Sequence, residues 1–279
     1  GEDILDSHLK HFKEKAPERF VHFGGVDWSL WKDEGDKFGE KAAKRFREQV
    51  KRGAEGLKIW KPFGLHVKDQ HNKLVRVNDE RLELLWESAG ELNVPVLVHV
   101  ADPVAFFDKV DHTNERWEEL GNHEDWRFTS PPFPSFMNIM EDFANVIRRH
   151  KNTTFIGAHV GCYAENLGWV GNLLDECPNF YVDISARLGE IGRQPYTARK
   201  FFIKYADRIL FGTDADAELE TYQLYYRFLE TDDEYFNYNI SDVPQQGRWY
   251  VYGLYLPDDV LEKVYFKNAE RVIFKRGQS

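Results

Sequence analysis

Short runs of apolar and β-branched residues recur along the chain, and each is followed by a longer stretch with helical spacing. The runs lie at 19–26 (RFVHFGGV), 56–60 (GLKIW), 94–100 (VPVLVHV), 153–159 (TTFIGAH), 179–185 (NFYVDIS) and 208–213 (RILFGT). The first, third, fourth and sixth show little alternation of apolar and polar positions, as expected of parallel strands buried on both faces. Between the runs, the spacing predicts helices over 37–51, 79–92, 135–150, 165–177 and 195–205. Asn78, Asp79 and Glu80 offer an N-cap and an acidic first turn to the second of these, and Asn93 and Pro95 stop it and open the next strand.

Strand alternating with helix means an α/β protein with a parallel sheet. Two shapes compete, an open doubly wound sheet and a closed (β/α)8 TIM barrel. An open nucleotide-binding sheet carries a glycine-rich phosphate loop after its first strand, and neither GxGxxG nor GxxxxGK[ST] occurs here. The barrel is therefore the expected fold. No internal repeat, low-complexity tract or linker interrupts the pattern, so residues 1–279 read as one domain. Two stretches break the rhythm: 101–134, rich in Asp, Trp, Phe and Pro, and 215–257, rich in Tyr, Asp and Glu. Both follow strand C-termini, where barrel enzymes build active sites from long loops.

Composition narrows the classes. With 37 Lys and Arg against 47 Asp and Glu, the net charge is −10, the wrong sign for a nucleic-acid footprint. No apolar run approaches the roughly 20 residues that span a bilayer, and the acidic start has no signal-peptide pattern. Two cysteines, Cys162 and Cys177, make neither a disulfide scaffold nor a four-thiolate zinc site. Such sparse cysteines fit the cytoplasm. A small-molecule partner is expected, and a homo-oligomer is open.

Candidate chemistry sits at strand ends, where a buried charge or imidazole is costly unless paired or bound to a metal. His99 ends VPVLVHV and His159 ends TTFIGAH, so the two face one mouth if the sheet closes. Asp214 follows RILFGT and suits a metal ligand or general base, or else an N-cap. Lys58, inside GLKIW, can hold an anionic substrate or snorkel to solvent. Arg187 and Arg193 can clamp a carboxylate or form surface ion pairs. His8 and His11 form HxxH without the Glu of HExxH and read as surface residues. Cys162 reads as packing under a loop, and no GxSxG elbow supports a serine nucleophile.

PVLVH with His99, FIGAHVG with His159 and ILFGTD with Asp214, in that order, resemble the amidohydrolase-related family of metal-dependent TIM-barrel hydrolases and decarboxylases. GLKIW is similar to the family's GxKxx fourth strand, YVDIS to its seventh, and LPDDVLEKVYFKNAERVIF to its closing helix. The resemblance implies His99 and Asp214 as ligands of a divalent metal, usually zinc. It implies His159 as the group that activates a metal-bound water or moves a proton. One departure stands out: none of the 10 histidines is spaced His-x-His, the pair that the family's first strand supplies. The run at 19–26 resembles the third strand, so six of eight strands are expected and the first two are not seen. The simplest account is that the sequence starts part-way into a longer protein.

The resulting expectation is a metal-dependent hydrolase. Metal-activated water attacks an amide, ester or lactone, with His159 and Asp214 catalytic and Lys58 and Arg187 binding the substrate. The first alternative is a non-oxidative decarboxylase of an aromatic or unsaturated acid. The second is a non-catalytic small-molecule-binding barrel lacking metal. A nicotinamide oxidoreductase is weakened by the missing glycine loop.

Overall fold

The computed structural model describes residues 4–239 and 245–275. Six parallel strands form one sheet in chain order: β1 (Phe23–Gly24), β2 (Gly56–Ile59), β3 (Val96–Val98), β4 (Phe155–Gly157), β5 (Phe180–Asp183) and β6 (Ile209–Leu210). Each lies inside one of the six apolar runs. Among the described residues β1 pairs only with β2 and β6 only with β5, so the curved sheet of this TIM-barrel-type α/β fold is not closed.

Five helices follow the expected spacing: α1 (Phe38–Arg52), α2 (Glu83–Glu91), α3 (Phe136–Arg149), α4 (Leu167–Glu176) and α5 (Pro195–Lys204). Asp79 caps the 3-10 turn that leads into α2, its side chain accepting from the Arg81 amide, and Ser135 caps α3 by accepting from Asn138 N–H. A further helix, α6 (Leu219–Glu230), occupies the stretch after β6, where no element was expected. Its buried residues, Thr221, Tyr225, Phe228 and Leu229, do recur at helical spacing. Two of the four carry hydroxyls, and tyrosines and glutamates surround them, so the apolar stripe is hard to read.

The strand registers sort side chains to two faces. Leu57, Ile59, Val96, Val98, Phe155, Phe180, Val182 and Ile209 join the main core. The alternate residues Leu97, Ile156, Tyr181 and Leu210 form a smaller cluster with Ala269, Val272 and Ile273. Ala269 and Val272 belong to the closing helical segment, 258–272, which runs as α, π and α turns, and Ile273 caps its end. The inner face of the sheet is thus floored by the end of the described chain. On the same face Lys58 lies level with this layer, through Lys58↔Leu97↔Ile156↔Tyr181, and His99 and Asp183 stand one step above it, two residues beyond Leu97 and Tyr181.

Candidate active site

His99 reaches the inner face by simple alternation, two residues beyond Leu97. His159 does not, because two residues beyond Gly157 it would point to the helices. The chain solves this with a left-handed turn. His159, Val160, Gly161 and Cys162 all have positive φ (58°, 58°, 65° and 61°), closed by a hydrogen bond of 2.7 Å from Cys162 N–H to Ala158 O. Left-handed backbone costs a non-glycine residue about 1–2 kcal/mol, and a β-branched residue such as Val160 adopts it least readily. The turn is held by Asp183, whose Oδ1 accepts from His159 N–H at 2.9 Å, Ser185 N–H at 2.9 Å and Ser185 Oγ–H at 2.6 Å. It also needs glycine at Gly157, where a Cβ would lie 2.7 Å from the Gly161 Cα. Strain of this kind clusters at functional sites.

The turn brings the two imidazoles together, with ring centroids 4.3 Å apart and planes at 77°. His159 Nδ1 lies 2.8 Å from the Ser185 carbonyl oxygen, an acceptor only, so Nδ1 carries the proton and donates it. Neutral His159 then presents a bare Nε2, 3.3 Å from His99 Nδ1. On the far side of its ring, His99 Nε2 lies 3.4 Å from Asp102 Oδ1 and lacks a well-formed hydrogen bond. The chain from Ser185 through His159 and His99 to Asp102 therefore has three links and, with both rings neutral, two protons. One link is always a proton short.

Both rings favour the neutral state. Burial pushes His99 below the usual imidazole range, partly opposed by Asp102, and pushes His159 well below it, with Arg187 and His99 adding to the effect. Burial alone would raise the Asp102 carboxyl, but His99 and Lys61 outweigh it and hold Asp102 well below the carboxylate range. Lys61 Nζ donates to Asp102 Oδ2 at 2.9 Å and lies 4.8 Å from the Trp126 ring centre.

Asp214 lies beyond β6 with a side chain 62% exposed, its Oδ2 3.9 Å from His159 Nε2. It borders a cleft of about 700 Å³ lined also by Ala186, Glu218, Tyr225, Tyr238 and Gln246. Lys58 is half-buried, and burial lowers its ammonium below the usual lysine range against the opposing pull of Asp183 and Asp214. Arg187 is 6% exposed, and its guanidinium donates to the Ala186 carbonyl at 2.8 Å. Neither Lys58 nor Arg187 has a carboxylate within 4.0 Å among the described residues. Arg193 instead forms a bidentate pair with Glu115, at 2.7 and 2.9 Å. Cys162 is buried and unbridged, and His8 and His11 are exposed on the first helical turns.

The sequence reading passed over Asp102, Lys61, Asp183, Ser185 and Tyr225. Asp183 was visible as a charged residue inside an otherwise apolar run; the others carry no local signal. Away from this site, Glu83, Glu87 and His150 place three potential ligand atoms within 4.8 Å of one another. Arg149 already pairs with Glu83 there.

A parallel barrel-type sheet with imidazoles and a carboxylate gathered at its strand C-termini defines the class of barrel enzymes. The amidohydrolase family model matches residues 15–275, so the chain belongs to the amidohydrolase family. Solved structures agree in fold. A 2,6-dihydroxybenzoate decarboxylase from Rhizobium superposes with a TM-score of 0.59 at 15% identity, covering 98% of this chain and 76% of that one. An uncharacterised TIM-barrel protein from Bordetella bronchiseptica gives 0.58 at 16% identity, with 98% and 73% covered. A dihydroxybenzoic acid decarboxylase from Polaromonas, with bound manganese and the inhibitor 2-nitroresorcinol, gives 0.56 at 16% identity, with 98% and 74% covered. No match was found among curated proteins.

The donor set fits a divalent cation in kind. The imidazole chain is one proton short, His99 Nε2 faces Asp102 at 3.4 Å without a well-formed hydrogen bond among the described residues, and Asp214 stands near His159. Imidazole and carboxylate suit zinc, manganese or iron. Together, His99 and Asp214 are fewer than the three protein ligands of a catalytic zinc site.

Proposed function

We propose that the chain is a metal-dependent enzyme acting on a small carboxylate-bearing molecule, and that it hydrolyses an amide, ester or lactone bond. The observation that carries this reading is the pair of cations, Lys58 and Arg187, whose charges act on both imidazoles and neither of which has a carboxylate within 4.0 Å among the described residues. A buried charge without a partner is costly unless a ligand completes it. A substrate carboxylate does so, bidentately at Arg187.

In this reading His99 and Asp214 hold the cation, zinc or manganese. When bound, the cation lowers the pKa of a water to about 7 and polarises the scissile carbonyl. His159 takes the proton from the attacking water on its bare Nε2, while Ser185 keeps Nδ1 protonated and the ring oriented. Asp214, exposed at the mouth, receives the proton next and returns it to the leaving group. Lys58 and Arg187 orient the substrate by its anionic end.

Non-oxidative decarboxylation of an aromatic acid is the second reading. The same two cations serve it, and the 101–134 stretch supplies aromatic rings near the mouth. The test is turnover of purified protein with manganese or zinc against amides, lactones and aromatic acids, with carbon dioxide release measured beside product. Hydrolysis product without carbon dioxide supports the first reading, and carbon dioxide supports the second. Turnover that survives chelation, or that is unchanged in Arg187→Met, overturns both.

A further inference from the structure

We infer that Asp102 is the positioning residue of the His99–His159 pair: it captures the single proton of neutral His99 on Nε2 and so leaves Nδ1 bare toward His159. The argument rests on geometry and on counting protons. His99 is 8% exposed and has polar neighbours at both ring nitrogens. On one side is His159 Nε2, bare because Ser185 holds the His159 proton on Nδ1. On the other is Asp102 Oδ1, part of a carboxylate that is 6% exposed. Both want a proton and His99 has one to give.

Two imidazole lone pairs facing each other are dipoles in opposition. A lone pair facing a buried carboxylate opposes a dipole to a full charge, which is the costlier arrangement in a poorly screened interior. The proton therefore goes to the Asp102 side, although 3.4 Å is long for a hydrogen bond. The charges around His99 agree. Asp102 is the anion beside it, whereas Arg187 and Lys58 disfavour a second proton on the ring. Lys61, anchored over Trp126, neutralises the outer oxygen of Asp102 and keeps the carboxylate in place. Asp102 is also tethered closely, three residues after His99, with Pro103 fixing the chain behind it. The consequence is a bare Nδ1 on His99, prepared for a cation before any cation arrives, 3.3 Å from the bare Nε2 that His159 keeps for a proton. This inference does not depend on the reaction proposed above.

Long-range proton–nitrogen NMR of histidine-labelled, chelator-treated full-length chain reads the tautomer of each ring directly, with His99 assigned by its loss in His99→Gln. In the wild type, His99 Nε2 is expected in the protonated range and Nδ1 in the unprotonated range. In Asp102→Ala the two are expected to exchange, with His99 then donating through Nδ1 to His159, and Asp102→Glu is expected to restore the wild-type pattern. Lys61→Met, which keeps the carboxylate, is expected to leave His99 as the Nε2–H form. A wild-type His99 protonated on Nδ1 overturns the inference whatever the variants do. An unchanged His99 tautomer in a folded Asp102→Ala protein overturns it as well.

Discussion

The two ends of the sheet treat polar side chains in opposite ways. At the strand starts, Asn179 donates to three backbone carbonyls, of Ile147, His150 and Thr153, at 3.2, 3.1 and 2.9 Å. Asn268 donates to Ala206 and Ile209 carbonyls, both at 2.7 Å, and Thr153 Oγ donates to Trp86 O at 2.8 Å. These groups are satisfied by the fold itself. At the strand ends, His99 has an unsatisfied nitrogen, Arg187 and Lys58 have no carboxylate partner among the described residues, and His159, Val160, Cys162, Ala186 and Asp214 sit in left-handed backbone. At the first end Asn179, Asn268 and Thr153 close the structure. The other holds polar groups in strain and deficit that a ligand can relieve, which is the division expected between the stability face and the active face of a barrel.

The contrast can be broken at either end. The largest effect is expected from Asn179→Ala. It takes the side-chain donor from three buried carbonyls, of which His150 O keeps the Thr153 N–H, and should cost about 2–3 kcal/mol in urea unfolding, while the tautomers of His99 and His159 stay as in the wild type. A loss below about 0.5 kcal/mol would mean that the strand starts are not the stabilising end.

Acid should act at the other end. His99 and His159 have folded values pushed below the ordinary 6.5, so the unfolded chain takes up protons that the folded site refuses. Their contribution is present above about 6.5 and falls as pH drops below it, by up to ~1.4 kcal/mol per pH unit for each ring. Unfolding midpoints in chelator at pH 7.5 and 5.5 should therefore separate more in the wild type than in His159→Gln. Equal separation would remove the imidazoles as the cause.

A smaller change of opposite sign is expected from Arg187→Met. Removing a buried cation that lacks a carboxylate partner should raise stability by about 1 kcal/mol while abolishing binding of small carboxylates, read by calorimetry. Destabilisation with binding intact would return Arg187 to a structural role. The smallest effect is expected at Ala186, with φ of 51°. Ala186→Gly should gain roughly 0.4–1 kcal/mol in thermal unfolding, because glycine adopts this backbone without penalty. Any loss there would show that the strand ends are less strained than their backbone angles imply.

How much of this was legible follows from the same division. The six strands and five of the main helices are written in periodicity, because burial against a layered core imposes a local repeat. His99, His159, Asp214, Lys58 and Arg187 were legible because each is a polar residue in or just after an apolar run. What joins them was not. The left-handed turn at His159 has no local signature beyond Gly157 and Gly161, and His159 itself sits at the wrong parity for the inner face. Asp102 and Lys61 meet across 41 positions of sequence, and Asp183 holds His159 across 24. Helix α6 escaped because its buried stripe includes the hydroxyl-bearing side chains of Thr221 and Tyr225.

The floor beneath the site has a consequence for synthesis. Ala269, Val272 and Ile273 cover Leu97, Ile156, Tyr181 and Leu210, all of which are made earlier. Until that last helical segment emerges, the nascent chain presents an apolar sheet face to the cell. During that interval it is exposed to mispairing and aggregation, and a chaperone is best placed to help.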